Sequence, residues 1–209
     1  MRYLILSLSL LLLPLSVNAK PQMRKSQIDF GLGMNSCSEN GDDAKCDDID
    51  GGFGIRAGYT FRFLPFLGAG LDFHWGSWST ELPEGAPEEA EEPSLSTISV
   101  IPMLRGFYGV GPVGLNLGLG MGYYGTSVEV GDTTFSNSTV TAFKLSVGAA
   151  YKISGKMGVG LYYDMIMGAN GEPSIDPEPE LPAGVTAPEP EAIDFQGNTQ
   201  IGLNFYYRL

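Results

Sequence analysis

Few side chains in this sequence are of the types that do chemistry, and His74 is the only histidine. Asp72 lies two residues before it, so both side chains belong to one face of an extended segment. A hydrolase would need the histidine within hydrogen-bond reach of a serine and held by an acid, and Ser77 and Ser79 follow nearby. No nucleotide-binding loop, CxxC pair or HExxH motif is present. We therefore predict no catalytic residue and a structural contact between His74 and a carboxylate.

The two cysteines, Cys37 and Cys46, lie nine positions apart in one connection. In an exported protein this arrangement predicts a disulfide. A metal-binding pair is the alternative, but there is no third cysteine and the histidine is distant. Aspartates crowd the same connection, at Asp42, Asp43, Asp47, Asp48 and Asp50. Their carboxylates suit Ca²⁺, although their spacing does not match an EF-hand, so a calcium loop stays an alternative and no resident cofactor is expected.

The N-terminus predicts export. Arg2 precedes an apolar run from Tyr3 to about Val17, and Ala19 provides a small residue where a signal peptidase would cut. We predict a cleaved signal peptide at residues 1–19. No later stretch has the roughly 20 apolar residues of a spanning helix.

The elements that position the chemical residues are predicted strands. Eight segments alternate apolar residues with small or polar ones, and a period of two indicates strands with unlike faces. The last, IGLNFYYRL, ends on Leu209. The predicted strands cover residues 27–34, 53–63, 67–75, 96–108, 113–124, 139–153, 157–167 and 197–209.

The connections between these strands alternate in length. Longer ones cover 35–52, 76–95, 125–138 and 168–196, and short turns cover 64–66, 109–112 and 154–156. Together with aromatic residues near the strand ends, this predicts an all-β fold, an antiparallel up-and-down transmembrane β-barrel with long extracellular loops and short periplasmic turns. A soluble sandwich or lipocalin-like barrel is the alternative. A hairpin within Ser127–Phe135 would give ten strands, and Pro102 predicts a bulge or break in the fourth strand, or a shifted strand end.

Charge is sorted between these segments. The chain has 24 acidic and 12 basic residues, and 21 of the acids lie in the four longer connections with one base, Lys45. The negative net charge argues against nucleic-acid binding. Two connections, around 81–93 and 173–191, are rich in Pro, Glu and Ala, a composition that forms no core.

The remaining acids fall on the small-residue faces of strands, as do most bases. Ionised groups in a narrow interior must be paired or hydrated, so we predict a salt-bridged lumen, with a narrow base-lined pore as the alternative. The predicted lumen charge network comprises Asp29, Arg56, Arg62, Asp72, His74, Arg105, Lys144, Lys152, Asp164 and Arg208.

Three features of the chain point to a known class: its strand number, its loop asymmetry and its glycine-rich inner faces, such as GLNLGLGMGYYG. In these features it resembles the small eight-stranded outer-membrane barrels of Gram-negative bacteria, the OmpA-transmembrane-domain and OmpX-like class. The resemblance implies a periplasmic segment at 20–26 and a barrel at 27–209. Its ending resembles the signal for the barrel-assembly machinery, with Phe205 and Tyr207 kept and Leu209 in place of the favoured terminal Phe.

The class includes adhesins, structural barrels and a few enzymes, so membership does not fix the role. We expect a monomer in contact with outer-membrane lipid and lipopolysaccharide. Its expected function is structural or a surface interaction, either adhesion or cation binding through the acidic loops, with an extracellular ligand left open. A narrow pore for small solutes or ions is the alternative, and a lipid-modifying enzyme is a more distant one.

Overall fold

The computed structural model describes residues 26–37, 49–80, 94–130, 133–168, 172–176 and 197–209. Strands account for most of these residues. In chain order they are β1 (Ser26–Cys37), β2 (Ile49–Leu64), β3 (Leu67–Thr80), β4 (Ser94–Val110), β5 (Val113–Val130), β6 (Thr133–Lys152), β7 (Met157–Met167), β8 (Glu172–Asp176) and β9 (Gly197–Arg208). Within this part of the chain, no helix is long and apolar enough to cross a membrane.

Eight of these strands close into a barrel. Each strand from β1 to β7 pairs antiparallel with its neighbour in sequence, and β9 pairs with β7. The ring closes between β1 and β9, where Phe30 lies opposite Phe205. The predicted eight-stranded antiparallel barrel is therefore confirmed, and the ten-stranded alternative is wrong.

The apolar face of each strand points outward, whereas in a soluble barrel it points into the core. On β1, Ile28, Phe30 and Leu32 are each nearly half exposed on the outside, whereas Gln27 and Asp29 are buried inside. The same alternation repeats around the ring, so a belt of large apolar side chains surrounds the barrel. An outward apolar face is stable against lipid and costly against water.

Tight turns gather at one end of the barrel, which we call the short-turn end. They join β2 to β3, β4 to β5 and β6 to β7, and both Ser26 and Leu209 lie there, with the Leu209 N–H donating to the Ser26 carbonyl at 3.0 Å. Gly111 has a φ of 60°, the left-handed conformation that glycine adopts without strain. The opposite end is the long-connection end.

The predicted loop at 125–138 is wrong. β5 and β6 continue through it as one hairpin, 18 and 20 residues long, paired from Gly125 and Ser138 out to Val130 and Thr133. A spanning strand needs only about 9–11 residues, so the hairpin extends beyond the apolar belt by roughly eight residues a strand. The hairpin predicted within Ser127–Phe135 is present, but it extends two barrel strands and does not add two more.

A short strand lies inside the predicted loop at 168–196. β8 pairs antiparallel with β6, with Ser174 opposite Ser136, and widens the extended hairpin to three strands. It lies outside the ring of eight, because β6 already has β5 and β7 as its barrel partners.

Pro102 interrupts one ladder without shifting it. β4 pairs with β5 from Val100 opposite Tyr123 and again from Met103 opposite Gly120, in the same register, while Ile101 and Pro102 have no partner on β5. Because proline has no N–H, the hydrogen bond that would join these two pairs is missing. The predicted local break is confirmed; β4 has neither a bulge nor a shifted end at this point.

Several predictions fall on residues outside the described ranges. These are the signal peptide, residues 20–25 and, in the first long connection, Cys46 with Asp42, Asp43, Asp47 and Asp48. The disulfide and the calcium loop therefore stay predictions. Asp50 is the second residue of β2 and lies at the long-connection end.

Candidate functional site

A group of charged side chains crosses the interior at mid-height, and we call it the midbarrel cluster. Six strands contribute to it, and every member is buried. Glycines on the same inner faces leave the room it needs: a Cβ on Gly58 would lie 2.8 Å from the Asp72 Oδ1 atom. The cluster consists of Asp29, Arg56, Asp72, His74, Arg105, Lys144 and Asp164.

Lys144 is the central cation of the cluster and is fully buried. Its ammonium lies 2.7 Å from Asp72 Oδ2 on β3 and 3.0 Å from Asp164 Oδ2 on β7. It also contacts Nε2 of His74. A compact ammonium with three donors suits a position between two carboxylates and an imidazole nitrogen.

Two guanidinium groups join the remaining carboxylates. Arg56 lies 3.3 Å from Asp164 Oδ2 and 3.6 Å from Asp72 Oδ2. Arg105 donates to Asp72 and to Asp29 Oδ2, the latter at 3.2 Å, and to Thr60 Oγ1 at 2.6 Å. Charge-assisted hydrogen bonds of this kind are the strong ones in a protein interior.

His74 is held by polar contacts at both of its ring nitrogens. Its Nδ1 lies 3.0 Å from Oε1 of Gln200 on β9, an atom that only accepts. Its Nε2 faces the Lys144 ammonium, which only donates. The same Nε2 lies 3.2 Å from Asp164 Oδ2, so both ring nitrogens are held within the barrel interior.

The same residues have the composition of a metal site. Asp72, His74 and Asp164 are the described residues that could hold an ion together, with ligand atoms within 4.8 Å of one another. The Lys144 ammonium contacts all three. A protein cation thus lies where a metal would bind.

The cluster is electrically balanced. Three carboxylates, Asp29, Asp72 and Asp164, face three cations, Arg56, Arg105 and Lys144. Buried ions are stable only when they are paired and hydrogen-bonded, so this balance permits a dry, charged layer. Seven of the ten residues predicted for the lumen charge network lie in this layer.

An apolar layer lies beside the charged one, and sequence reasoning missed it. It comprises Ile101, Met103, Tyr124, Ala142 and Ile166, all buried within the barrel. Ala142 and Ile166 lie two residues from Lys144 and Asp164 on their strands, toward the long-connection end. The only signal was the weak alternation of β4, where Ile101 and Met103 turn inward between outward Val100, Pro102 and Leu104.

The other three predicted network residues, Arg62, Lys152 and Arg208, lie apart from the midbarrel cluster. They line a cavity of about 430 Å³ at the short-turn end and make no ion pair within the described part of the chain. Arg62 stacks 3.6 Å from the centre of the Phe107 ring and donates to Gln27 Oε1 at 2.9 Å. We call this cavity the basic vestibule.

Solved structures of similar fold are small membrane barrels. Neisserial surface protein A aligns with a TM-score of 0.53 at 13% identity, covering 88% of this chain and 96% of that one. Ail, the attachment invasion locus protein of Yersinia pestis, aligns with a TM-score of 0.50 at 13% identity, covering 88% of this chain and 98% of that one. OprG from Pseudomonas aeruginosa aligns with a TM-score of 0.50 at 12% identity, covering 88% of this chain and 97% of that one. Identities this low show a shared fold alone.

The sequence itself identifies the family. The profile described as "outer membrane protein beta-barrel domain" matches residues 6–175, most of the chain. A comparison with curated proteins finds no match. With the closed barrel, the outward apolar belt and the alternating connections, this match shows that the chain belongs to the outer membrane protein β-barrel family and resides in the outer membrane.

Proposed function

We propose that this protein is a closed barrel that presents acidic connections at the cell surface, where they bind cationic partners. The partners would be divalent cations, or basic surfaces of other macromolecules. The carrying observation is the distribution of charge along the chain: 21 of 24 acids fall in the four longer connections predicted from the sequence, whereas the charges of the midbarrel cluster balance one another.

The orientation of the barrel follows the family rule that short turns face the periplasm and longer connections face outward. The acidic connections are then extracellular. The β5–β6 hairpin and β8 extend beyond the apolar belt on that side. A rigid support above the lipid would hold neighbouring acidic segments away from the bilayer surface.

The packing of side chains in the interior favours a closed barrel and argues against a pore. Side chains of the midbarrel cluster meet across the lumen, as with Arg56 of β2 and Asp164 of β7, and the apolar layer adds a second barrier. Eight strands enclose an interior just wide enough for side chains. A conducting path would have to disrupt both layers.

The position of His74 supports a function without catalysis. Its Nδ1 contacts Gln200, its Nε2 contacts Lys144 and Asp164, and only 4% of the residue is exposed. A general base has to reach its substrate through a hydrogen bond.

The test uses the purified barrel in phosphatidylcholine vesicles with poly-lysine as the probe. Two variants remove acids: the first replaces all six glutamates of 81–92 by glutamine, and the second deletes 177–191, so that β8 keeps its pairing with β6. Both should weaken binding, and NaCl should weaken wild-type binding, because exposed charges are screened over about 8 Å at physiological ionic strength.

A matched control replaces Lys156, an exposed base on a periplasmic turn, by glutamine. It should bind poly-lysine like the wild type. Equal binding by the six-glutamine variant would refute the proposal, and steady open-channel currents from wild type in a planar bilayer would refute the closed barrel.

A further inference from the structure

The basic vestibule differs in charge from the midbarrel cluster. Its lining includes three bases, Arg62, Lys152 and Arg208, and no acidic residue. The cations of the midbarrel cluster, by contrast, each contact a carboxylate. The side chains that line the vestibule therefore have a net positive charge.

The acidic residues of the sequence are concentrated away from the short turns. Of the 24, 21 fall in the four longer connections predicted from the sequence, and the other three are Asp29, Asp72 and Asp164. The segment 20–26 before β1 adds bases only, Lys20, Arg24 and Lys25. The sequence thus has no acidic residue in its three short turns or in residues 20–26.

Hydrogen-bonding groups inside the vestibule are also left available. The Nε atoms of Arg62 and Arg208 and the Oδ1 atom of Asn204 are buried and have no hydrogen-bond partner among the described residues. Asn204 is itself only 7% exposed. Buried polar atoms of this kind usually have a partner, so their convergence on one cavity points to a ligand.

Arg62 is held in place before any ligand binds. Its guanidinium stacks on Phe107 and donates to Gln27, and Gln27 in turn donates to Asp29 Oδ1 at 2.8 Å. The Asp29 carboxylate also accepts from Arg105. A short hydrogen-bonded chain thus connects the vestibule to the midbarrel cluster and fixes the orientation of Arg62, which lowers the entropy cost of binding.

We propose that the basic vestibule binds a small phosphorylated solute from the periplasm. Phosphate offers several acceptor oxygens and close to two negative charges, which match the forked donors of two arginines and the point charge of a lysine. The volume of about 430 Å³ is in the range of small-molecule sites and leaves room for an organic group beside Phe107 and Pro112. The midbarrel cluster closes the inner side, so the site is a dead end.

The experiment measures binding of diphosphate and glycerol 3-phosphate to the barrel in nonionic detergent, by calorimetry and by amide shifts of Asn116 and Asn204. Wild type should bind one equivalent. Lys152→Gln, which removes an exposed base with no ion pair among the described residues, should weaken binding about tenfold, equal to about 1.4 kcal/mol. Arg208→Gln should do the same. Glycerol should not bind.

The matched control is Lys156→Gln, which removes a base at the same end that does not line the vestibule. It should leave the affinity unchanged. Absence of wild-type binding at about 10 mM, a level above any affinity of biological use, would overturn the proposal, as would equal losses in Lys152→Gln and Lys156→Gln. Amide shifts that appear only in nanodiscs containing phosphatidylglycerol, and not with soluble phosphates, would identify a lipid headgroup and refute a solute.

Discussion

Replacing Lys144 by methionine should destabilise the barrel by several kcal/mol while leaving its shape unchanged. Methionine keeps a long, unbranched side chain at a fully buried position, so little packing is lost. What disappears is the charge between Asp72 and Asp164. The midbarrel cluster then has three carboxylates and two guanidinium groups.

The magnitude follows from two distances. The Lys144 ammonium lies 2.7 Å from Asp72 Oδ2 and 3.0 Å from Asp164 Oδ2. With an effective dielectric constant of about 20, each contact contributes about 6 kcal/mol of attraction. The cost of dehydrating Lys144 offsets much of this sum, and removing one partner of a buried pair costs about 3–5 kcal/mol in measured cases. We expect about 4 kcal/mol for Lys144→Met.

The double variant Lys144→Met, Asp164→Asn separates charge balance from packing. It restores neutrality, with Asp29 and Asp72 facing Arg56 and Arg105, so its free energy of unfolding should lie above that of Lys144→Met alone. The assay is urea unfolding in phosphatidylcholine vesicles, followed by tryptophan emission. Lys156→Met, on an exposed turn, should change stability by under about 0.5 kcal/mol. A loss below about 1 kcal/mol in Lys144→Met, or additive losses in the double variant, would refute the reasoning.

Three further predictions concern other features of the barrel. Lys144→Ala, refolded with excess Zn²⁺, should gain stability that rises with zinc concentration, because Asp72, His74 and Asp164 lie at ligand spacing; wild type should show no such gain. Pro102→Leu should raise the free energy of unfolding by about 1 kcal/mol in the same urea assay, because it supplies the missing hydrogen bond to β5; a loss would contradict this account of the break. If the predicted disulfide forms, reductant should slow the migration of the unfolded wild-type protein on a denaturing gel and leave the migration of Cys37→Ser unchanged.

The fold was predictable wherever strands contact lipid on one face and side chains on the other. Ile28, Phe30 and Leu32 alternate with buried inner residues, and this contrast appears directly in the sequence. Beyond the apolar belt the contrast disappears, since both faces of a strand meet water or other strands. The stretch from Ser127 to Ser136 therefore reads as a loop, although it forms the upper part of β5 and β6. β8 could not be predicted because its pairing depends on that extended hairpin.

The site was predictable in its composition and not in its pairing. Alternation placed the charged residues on inner faces, but which carboxylate meets which cation depends on the stagger of the strands around the ring. Lys144 contacts Asp72, three strands away along the chain, and this follows from the closed geometry alone. The same limit applies to Lys152 and Arg208, which share the inner faces and yet line a separate cavity.

The pairing across the midbarrel cluster bears on how the barrel assembles. Its partners are distant in sequence: Arg56 and Asp164 are 108 residues apart, Arg105 and Asp29 are 76, and Lys144 and Asp72 are 72. Other pairs lie within single hairpins, Asp72 with Arg105 in β3–β4 and Lys144 with Asp164 in β6–β7. The pairs between distant strands, such as Arg56 of β2 with Asp164 of β7, form only when the barrel brings those strands together. Until then the buried ions of these pairs lack part of their compensation, which is costly in lipid. The cluster therefore favours the closed barrel over partly assembled forms.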